Sequence, residues 1–297
     1  MTIVAVTGAT GNVGRPLALE LRRRGIAVRA LGRSAERLRP LADAGADPLV
    51  GDLADPRFLA QAFRGADAIF AMIPPEYGHP DPTSRARGIV AAIAAGAQVA
   101  RVRHAVSLSS VGADLPAGNG PIAWLHELER RLDQVPGLHT THLRPGYFFE
   151  NHLGSIGVIK AFGKLAGGFQ PGVALPMTAT ADIAAAAAVR LGDLGWSGHH
   201  VQELQGPRDY TFPQVAGILG AAIGRPTLGY EALGLDAVAA ALQGAGFSPG
   251  MAGLFAEMID GFNTGRLAMR TPRSPATSNP TSLEQFAATV FAPAFGA

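Results

Sequence analysis

Thr7-Gly8-Ala9-Thr10-Gly11-Asn12-Val13-Gly14, entered from Ile3-Val4-Ala5-Val6 and left through Leu17-Ala18-Leu19-Glu20-Leu21-Arg22, decides how this chain folds. The apolar tetrad is long enough for a buried strand, and the apolar residues after the turn fit one helical face. Strand, glycine turn and helix, in that order, is the context in which such a triplet holds a dinucleotide. Gly8 allows the tight turn off the strand, Gly11 lets a pyrophosphate approach bare backbone, and Gly14 lets the helix sit close on the sheet. The helix start then offers free N–H donors to phosphate, with Thr10, Asn12 and Val13 among the binding positions. The sequence holds 38 glycines, so an ordinary strand-to-helix turn is the plain alternative, and the flanking elements weigh against it.

Working outward, Ala27–Leu31 reads as a second strand ending at Gly32-Arg33-Ser34. A fold that prefers NAD usually carries an acid about 20 residues beyond the glycine turn to hold the ribose 2′-hydroxyl. Here Gly32 and Arg33 stand there instead, and a guanidinium suits a 2′-phosphate, so NADP(H) is favoured over NAD(H). The other reading of Arg33 is a solvated strand end, with Ser34 capping the next helix. After a helix over 35–42 and a strand over 48–50, Asp52 is positioned to accept from the adenine amino group while Leu53 packs on the ring. Asp52 serves equally well as a cap for the helix starting near Pro56. A fourth strand, 66–73, is broken by Pro74-Pro75, and its end, Met72, Ile73 and Pro74, should line the crevice where open α/β sheets bind ligands. Residues 76–83 read as a loop.

The periodicity predicts a helix over 84–97, a strand over 104–110, a helix over 121–132 and a strand over 140–144. Strands alternating with helices in this way imply an α/β, doubly wound, Rossmann-like, mostly parallel sheet. Residues 1–150 are therefore expected to form a dinucleotide-binding domain. Residues 151–297 are expected to form a smaller, mainly helical, substrate-side portion, from which 199–206 return to the sheet as a seventh strand. In that portion 161–177 is rich in Gly and Pro, and helices are expected over 178–191, 212–223, 236–243 and 249–262.

Composition narrows the function classes. With 297 residues, 47% of them hydrophobic, the chain can bury a full core, and with no cysteine it has no thiolate nucleophile or cysteine-ligated metal. The formal charge is only +2 and no basic block stands out, so nucleic acid is not an expected partner. Arg22-Arg23-Arg24 closes the first helix, where cations suit the dipole. Residues 237–256 are interrupted by Gly, Gln and Pro and make a poor membrane span. The opening residues run into a strand without a basic n-region or cleavage site, so a cytoplasmic location is expected. His199-His200 has no acidic or cysteine partners at ligand spacing, so no metal is expected.

The chain resembles the NmrA-like group of atypical short-chain dehydrogenases/reductases. The resemblance rests on Thr7 to Gly14, Gly51-Asp52-Leu53, Ser107-Leu108-Ser109-Ser110-Val111-Gly112, His126 with Glu129, and Leu143-Arg144-Pro145-Gly146-Tyr147-Phe148-Phe149-Glu150-Asn151. Ala181-Asp182-Ile183 and Leu204-Gln205-Gly206-Pro207-Arg208 extend it. Members of the wider superfamily reduce carbonyls with a serine, a tyrosine and a lysine, the tyrosine four residues before the lysine. The two lysines here, Lys160 and Lys164, have Ile156 and Lys160 at that position, so the pair is missing. Relatives often carry lysine or histidine where His126 stands. His126 is thus a candidate for proton donation or cofactor contact, with Glu129 one turn on to orient it; a surface or packing histidine is the alternative. Ser109 and Ser110 end a strand where the superfamily keeps a substrate-polarising hydroxyl, which makes Ser109 a catalytic and cofactor-side candidate; serines also simply end strands. Tyr147, Phe148 and Asn151 follow the sixth strand and suit an apolar substrate and its polar anchor, with Tyr147 also a catalytic candidate and core packing an equal account of the aromatics.

The expected activity is NADPH-dependent reduction of a small apolar acceptor: a quinone, imine, or activated alkene or carbonyl. Such an acceptor stabilises its own negative charge and needs little acid catalysis. The resemblance also implies a non-catalytic NADP(H) sensor with a protein partner, and a tailoring enzyme of natural-product assembly is a third reading. Assembly as a homodimer is compatible with all three.

Overall fold

A computed structural model describes residues 2–297. It is a Rossmann-like α/β fold whose seven-stranded sheet runs β10-β6-β5-β4-β1-β2-β3. Its strands are β1 (Ile3–Val6), β2 (Ala27–Gly32), β3 (Asp47–Val50), β4 (Ala68–Ala71), β5 (His104–Leu108), β6 (His139–Pro145) and, after an excursion, β10 (His199–Leu204). Every pairing in this sheet is parallel. The strand order reverses between β1 and β4, and ligands bind beyond the carboxyl ends of strands at such a point. Thr7 pins that junction: its Oγ1 donates to Phe70 O at 3.0 Å and accepts from Met72 N at 2.9 Å.

Side-chain alternation along the strands builds two layers. On one face Val4, Val6, Phe70 and Val106 pack with Leu17, Ala18 and Leu21 of α1 (Gly14–Arg23) and Leu38 and Leu41 of α2 (Ala35–Asp43). On the other face Ala5, Leu31, Ile69 and Ala105 meet α3 (Pro56–Phe63), α4 (Pro82–Ala100) and α5 (Ile122–Asp133) through Leu59, Phe63, Ile89, Ile93, Leu128 and Leu132. The helix starts have identifiable caps. Ser34 accepts from Arg37 N, Asp55 precedes Pro56, and Asp81 accepts from Ser84 N at 3.0 Å with Pro82 as the first helical residue. The expected helix over 84–97 therefore begins earlier, at Pro82, and takes the end of the expected 76–83 loop. The fourth strand is shorter than expected, because Met72 leaves the sheet once its N–H is held by Thr7.

Beyond β6 the chain forms β7 (Tyr147–Phe148), a 3-10 helix (Phe149–Ser155), α6 (Ile156–Phe162), β8 (Leu165–Gly167) and β9 (Ala174–Thr178). Next comes α7 (Thr180–Gly192), which packs Ile183, Ala184, Ala187 and Leu191 into the same apolar layer as α1 before β10 completes the sheet. The remainder is β11 (Asp209–Thr211), α8 (Phe212–Ala222), β12 (Tyr230–Ala232), α9 (Leu235–Gly244), α10 (Pro249–Asn263), α11 (Leu283–Phe286), a π-helical turn (Ala287–Phe291) and α12 (Ala292–Gly296). The later portion is mainly helical, as expected, and it also carries short strands. Two small sheets, β11-β9-β7 and β12-β8, frame it, and the Gly/Pro-rich 161–177 supplies two of their strands. Among the described residues no helix is long and apolar enough to cross a membrane.

Candidate cofactor and substrate site

The glycine turn has the geometry of a phosphate cradle. Gly8 takes φ +60°, a left-handed conformation that favours glycine, and Gly11 N donates to Gly8 O at 2.9 Å to close the turn. A Cβ on Gly14 would lie 2.2 Å from Gly8 O, so the helix packs on the turn at a distance only glycine permits. Thr10, Asn12, Val13 and Gly14 donate no backbone hydrogen bond to a described residue, which leaves their N–H groups for an anion at the start of α1. Val13 itself is buried, so its contribution is backbone only. Across the turn lies Met72, whose Sδ is 2.3 Å from where a Cβ on Gly8 would stand. Ile73 and Pro74 follow it beside Arg85 and Trp124 in a small cleft between the β4 end and α4.

At the expected adenosine end the structure reveals a charge network. Arg33, on the β2 tip and largely exposed, donates to Glu76 Oε1 at 2.8 Å. Arg85, on the first turn of α4, reaches the same carboxylate at 3.0 and 3.1 Å and holds Asp52 bidentately at 2.6 and 2.9 Å. The Arg85 guanidinium keeps the Asp52 carboxyl below its ordinary range. Asp52 therefore has a partner besides any adenine, and it does not cap α3, since Asp55 does. Leu53, expected against the adenine ring, is instead buried in the core with Leu31 and Leu59. Arg37 adds a second guanidinium near the turn, 3.4 Å from Thr10 O. Neither Glu76 nor Arg85 was singled out in the sequence, because their pairing joins a loop to a helix across the strand ends.

Ser109, Glu129 and Arg144 form a buried unit where β5 and β6 end. Ser109 Oγ donates to Glu129 Oε1 at 2.5 Å, and Arg144 forks onto both Glu129 oxygens at 2.9 and 2.6 Å. Burial works against the Arg144 charge, but the Glu129 pair and the nearby Asp114 and Glu203 carboxylates outweigh it and raise its pKa. Glu129 consequently does not orient His126, contrary to the helical-spacing argument. Instead His126 Nδ1 donates to the Ala113 carbonyl at 2.8 Å. The ring borders an open cavity of about 740 Å³ between α4, α5 and α10, with Arg87, Trp124, Arg130 and Glu257. Ser109, Tyr147 and Asn151 are not among the residues that line that cavity.

Tyr147 belongs to an aromatic cluster. Its ring lies 5.3 Å from His152, 5.7 Å from Phe169 and 5.8 Å from Phe212. Burial, with Tyr230 and Tyr77 nearby, pushes the phenol well above its ordinary pKa, while Asn151 hydrogen-bonds it in the opposite sense. Phe148 is half-buried against the α1 layer, so it packs between the sheet and the later residues. The lysines are engaged elsewhere: Lys160 lies 5.4 Å over the Phe295 ring, and Lys164 pairs with Glu231. His199 bonds Thr140 and Asp133.

His152 has a measurable consequence. Its Nε2 is buried without a partner among the described residues, and burial pushes the imidazole down to about 3. The unfolded chain takes up that proton near 6.5, so between these values the unfolded state binds more protons and stability falls as pH drops. The expected loss is on the order of 5 kcal/mol across the window. His104, also lowered by burial, acts in the same direction. Urea titrations from neutral to acid pH should show His152→Phe flattening this limb, and an unchanged slope would mean that the buried imidazole is not its source.

Comparison with known proteins agrees with this geometry. Residues 8–190 match the family model described as NAD(P)H-binding. An NAD(P)H azoreductase of Xenophilus azovorans is 30% identical over 260 residues, covering 86% of each chain. A (4-alkanoyl-5-oxo-2,5-dihydrofuran-3-yl)methyl phosphate reductase of Streptomyces griseus is 33% identical over 276 residues, covering 91% of this chain and 90% of the other. Among solved structures, an NADPH-dependent quinone oxidoreductase of Escherichia coli complexed with NADPH superposes with a TM-score of 0.78 at 26% identity, covering 97% of this chain and 99% of that one.

Proposed function

Because the chain belongs to the NAD(P)H-binding family, whose model spans residues 8–190, we propose that it is an NADPH-dependent reductase of a small apolar acceptor, a quinone above all. We assign it to the NmrA-like branch of the atypical short-chain dehydrogenases/reductases. Two relatives named for azo and quinone reduction support the acceptor class. The observation that carries the reading is a phenol, Tyr147, kept protonated in an aromatic setting while both lysines are held elsewhere. A tyrosine without a nearby cation is a weak proton shuttle but a sound hydrogen-bond donor.

The residues present fit the cofactor. The bare backbone between Gly8 and Gly14 would hold the pyrophosphate, and Arg33 and Arg37 would meet an adenosine phosphate. When bound, the reduced nicotinamide supplies the hydride. Tyr147 then donates a hydrogen bond to the acceptor oxygen, and the surrounding aromatics exclude water and set its plane. Ser109 has its hydroxyl hydrogen committed to Glu129, so it faces a substrate as an acceptor and does not polarise a carbonyl. His126 takes no step in this scheme.

Adding quinones, imines and activated alkenes to the protein with NADPH tests the proposal, with NADPH oxidation as the signal. Tyr147→Phe is expected to lower kcat/KM on a quinone by roughly tenfold to a hundredfold, the scale of a lost proton-donor contact. The raised phenol pKa also means no loss of rate from Tyr147 ionisation on the alkaline side up to pH 10. No turnover with any acceptor would overturn the reductase reading.

A further inference from the structure

We propose that Glu76 sets the balance between NADPH and NADH, as a carboxylate delivered from the β4 loop to a ribose-reading position whose own strand supplies only a guanidinium. The inference rests on the cofactor reading above and adds a specificity-determining residue to it. At the β2 tip, where an acid would hold a ribose 2′-hydroxyl, the chain has Gly32 and then Arg33. The structure nevertheless brings an acid there. Glu76 Oε1 lies 2.8 Å from Arg33, and its side chain is only 15% exposed. Glu76 directly follows Pro74-Pro75, whose fixed φ angles restrict where the loop can carry the carboxylate.

The same carboxylate is shared with Arg85, at 3.0 and 3.1 Å, and Arg85 keeps Asp52 as a second partner. Glu76 can therefore leave Arg33 without becoming unpaired, and Arg85 can lose Glu76 without becoming unpaired. This sharing makes the position two-valued. With NADH the carboxylate accepts from the ribose 2′-hydroxyl beside Arg33. With NADPH the 2′-phosphate takes Arg33 as a charge-assisted, bidentate partner, and Glu76, now facing a like charge, withdraws onto Arg85. Either cofactor is accommodated, and the carboxylate penalises the phosphorylated one.

Titration calorimetry with NADP+ and NAD+ on the intact protein tests this, using the wild type, Glu76→Gln, Glu76→Asp and Arg33→Gln. Glu76→Gln is expected to tighten NADP+ about tenfold and to weaken NAD+ severalfold, since it removes a like charge from one ligand and a charged acceptor from the other. Glu76→Asp keeps the charge on a shorter arm, so its ratio should fall between those of the wild type and Glu76→Gln. Arg33→Gln should weaken NADP+ and erase most of the gain when combined with Glu76→Gln. A Glu76→Gln protein with an unchanged melting temperature and an unchanged NADP+ to NAD+ ratio would overturn the role of Glu76 and leave the reductase reading intact. A wild-type protein that binds neither dinucleotide would overturn both.

Discussion

Gly14→Ala is expected to abolish dinucleotide binding and to lower stability, two effects that a second glycine of the same turn separates. The added methyl would sit 2.2 Å from Gly8 O, 2.8 Å from Gly8 C and 3.0 Å from Ala9 Cα, all backbone atoms with no rotamer to yield. Relief requires lifting α1 off the turn or reshaping the turn. Overpacking of this kind costs about 1–3 kcal/mol, and it displaces the Asn12, Val13 and Gly14 N–H groups that would meet the pyrophosphate. Affinity for NADPH should fall by at least about a hundredfold, equivalent to losing two charge-assisted hydrogen bonds. At Gly11 the nearest atom to an added Cβ is Gly8 O at 3.3 Å, so the fold tolerates alanine far better. Gly11→Ala should keep most of its stability and still lose affinity, because its methyl occupies the path of the phosphates. Melting curves paired with fluorescence titration of NADPH make the comparison, and a Gly14→Ala protein that binds like the wild type would show that the turn is not the cradle.

The second large effect is expected at Glu129. Its side chain is 7% exposed and that of Arg144 13%, and the two are joined by paired hydrogen bonds with Ser109 attached. Glu129→Gln strips the buried guanidinium of its hydrogen-bonded carboxylate and leaves it the Asp114 and Glu203 charges without that fork, which costs about 3 kcal/mol or more when one partner of such a pair is removed. Replacing both, as Glu129→Leu with Arg144→Met, should cost much less than the sum of the single changes, since no uncompensated charge remains. Urea unfolding of the three variants measures the coupling. Additive losses would mean that the pair is not a unit.

The fold was readable from the N-terminal half because its signals are local. The apolar strands, the glycine turn and the Ser34 cap each act within a few residues, and each lands where the structure has an element or its start. Glu129 shows where local reasoning stops. Its spacing from His126 suggested a pair on one helix face, but Arg144, on the strand beneath, offers it a buried bidentate partner, and His126 turns to the Ala113 carbonyl. Leu53 is a related case: a leucine at a strand tip reads the same whether it meets a ligand or a neighbouring helix, and its burial with Leu31 and Leu59 shows the second contact. The small strands β8 and β9 are too short, and too interrupted by Gly and Pro, to show an alternation. The Arg33, Glu76, Arg85 and Asp52 network joins four separate segments that only the folded sheet brings to one edge.

The placement of α7 against α1 bears on how this protein can be taken apart. Ile183, Ala184, Ala187 and Leu191 share an apolar layer with Leu17, Leu21 and Ile26, so a fragment ending at residue 150 would present those N-terminal side chains to water along a whole helix. Such a truncation invites self-association, not a free-standing nucleotide module. Residues 180–204 therefore belong with 1–150, so any shuffling of the later residues between homologues has to be done as two cassettes, 151–179 and 205–297, on either side of a retained helix and strand.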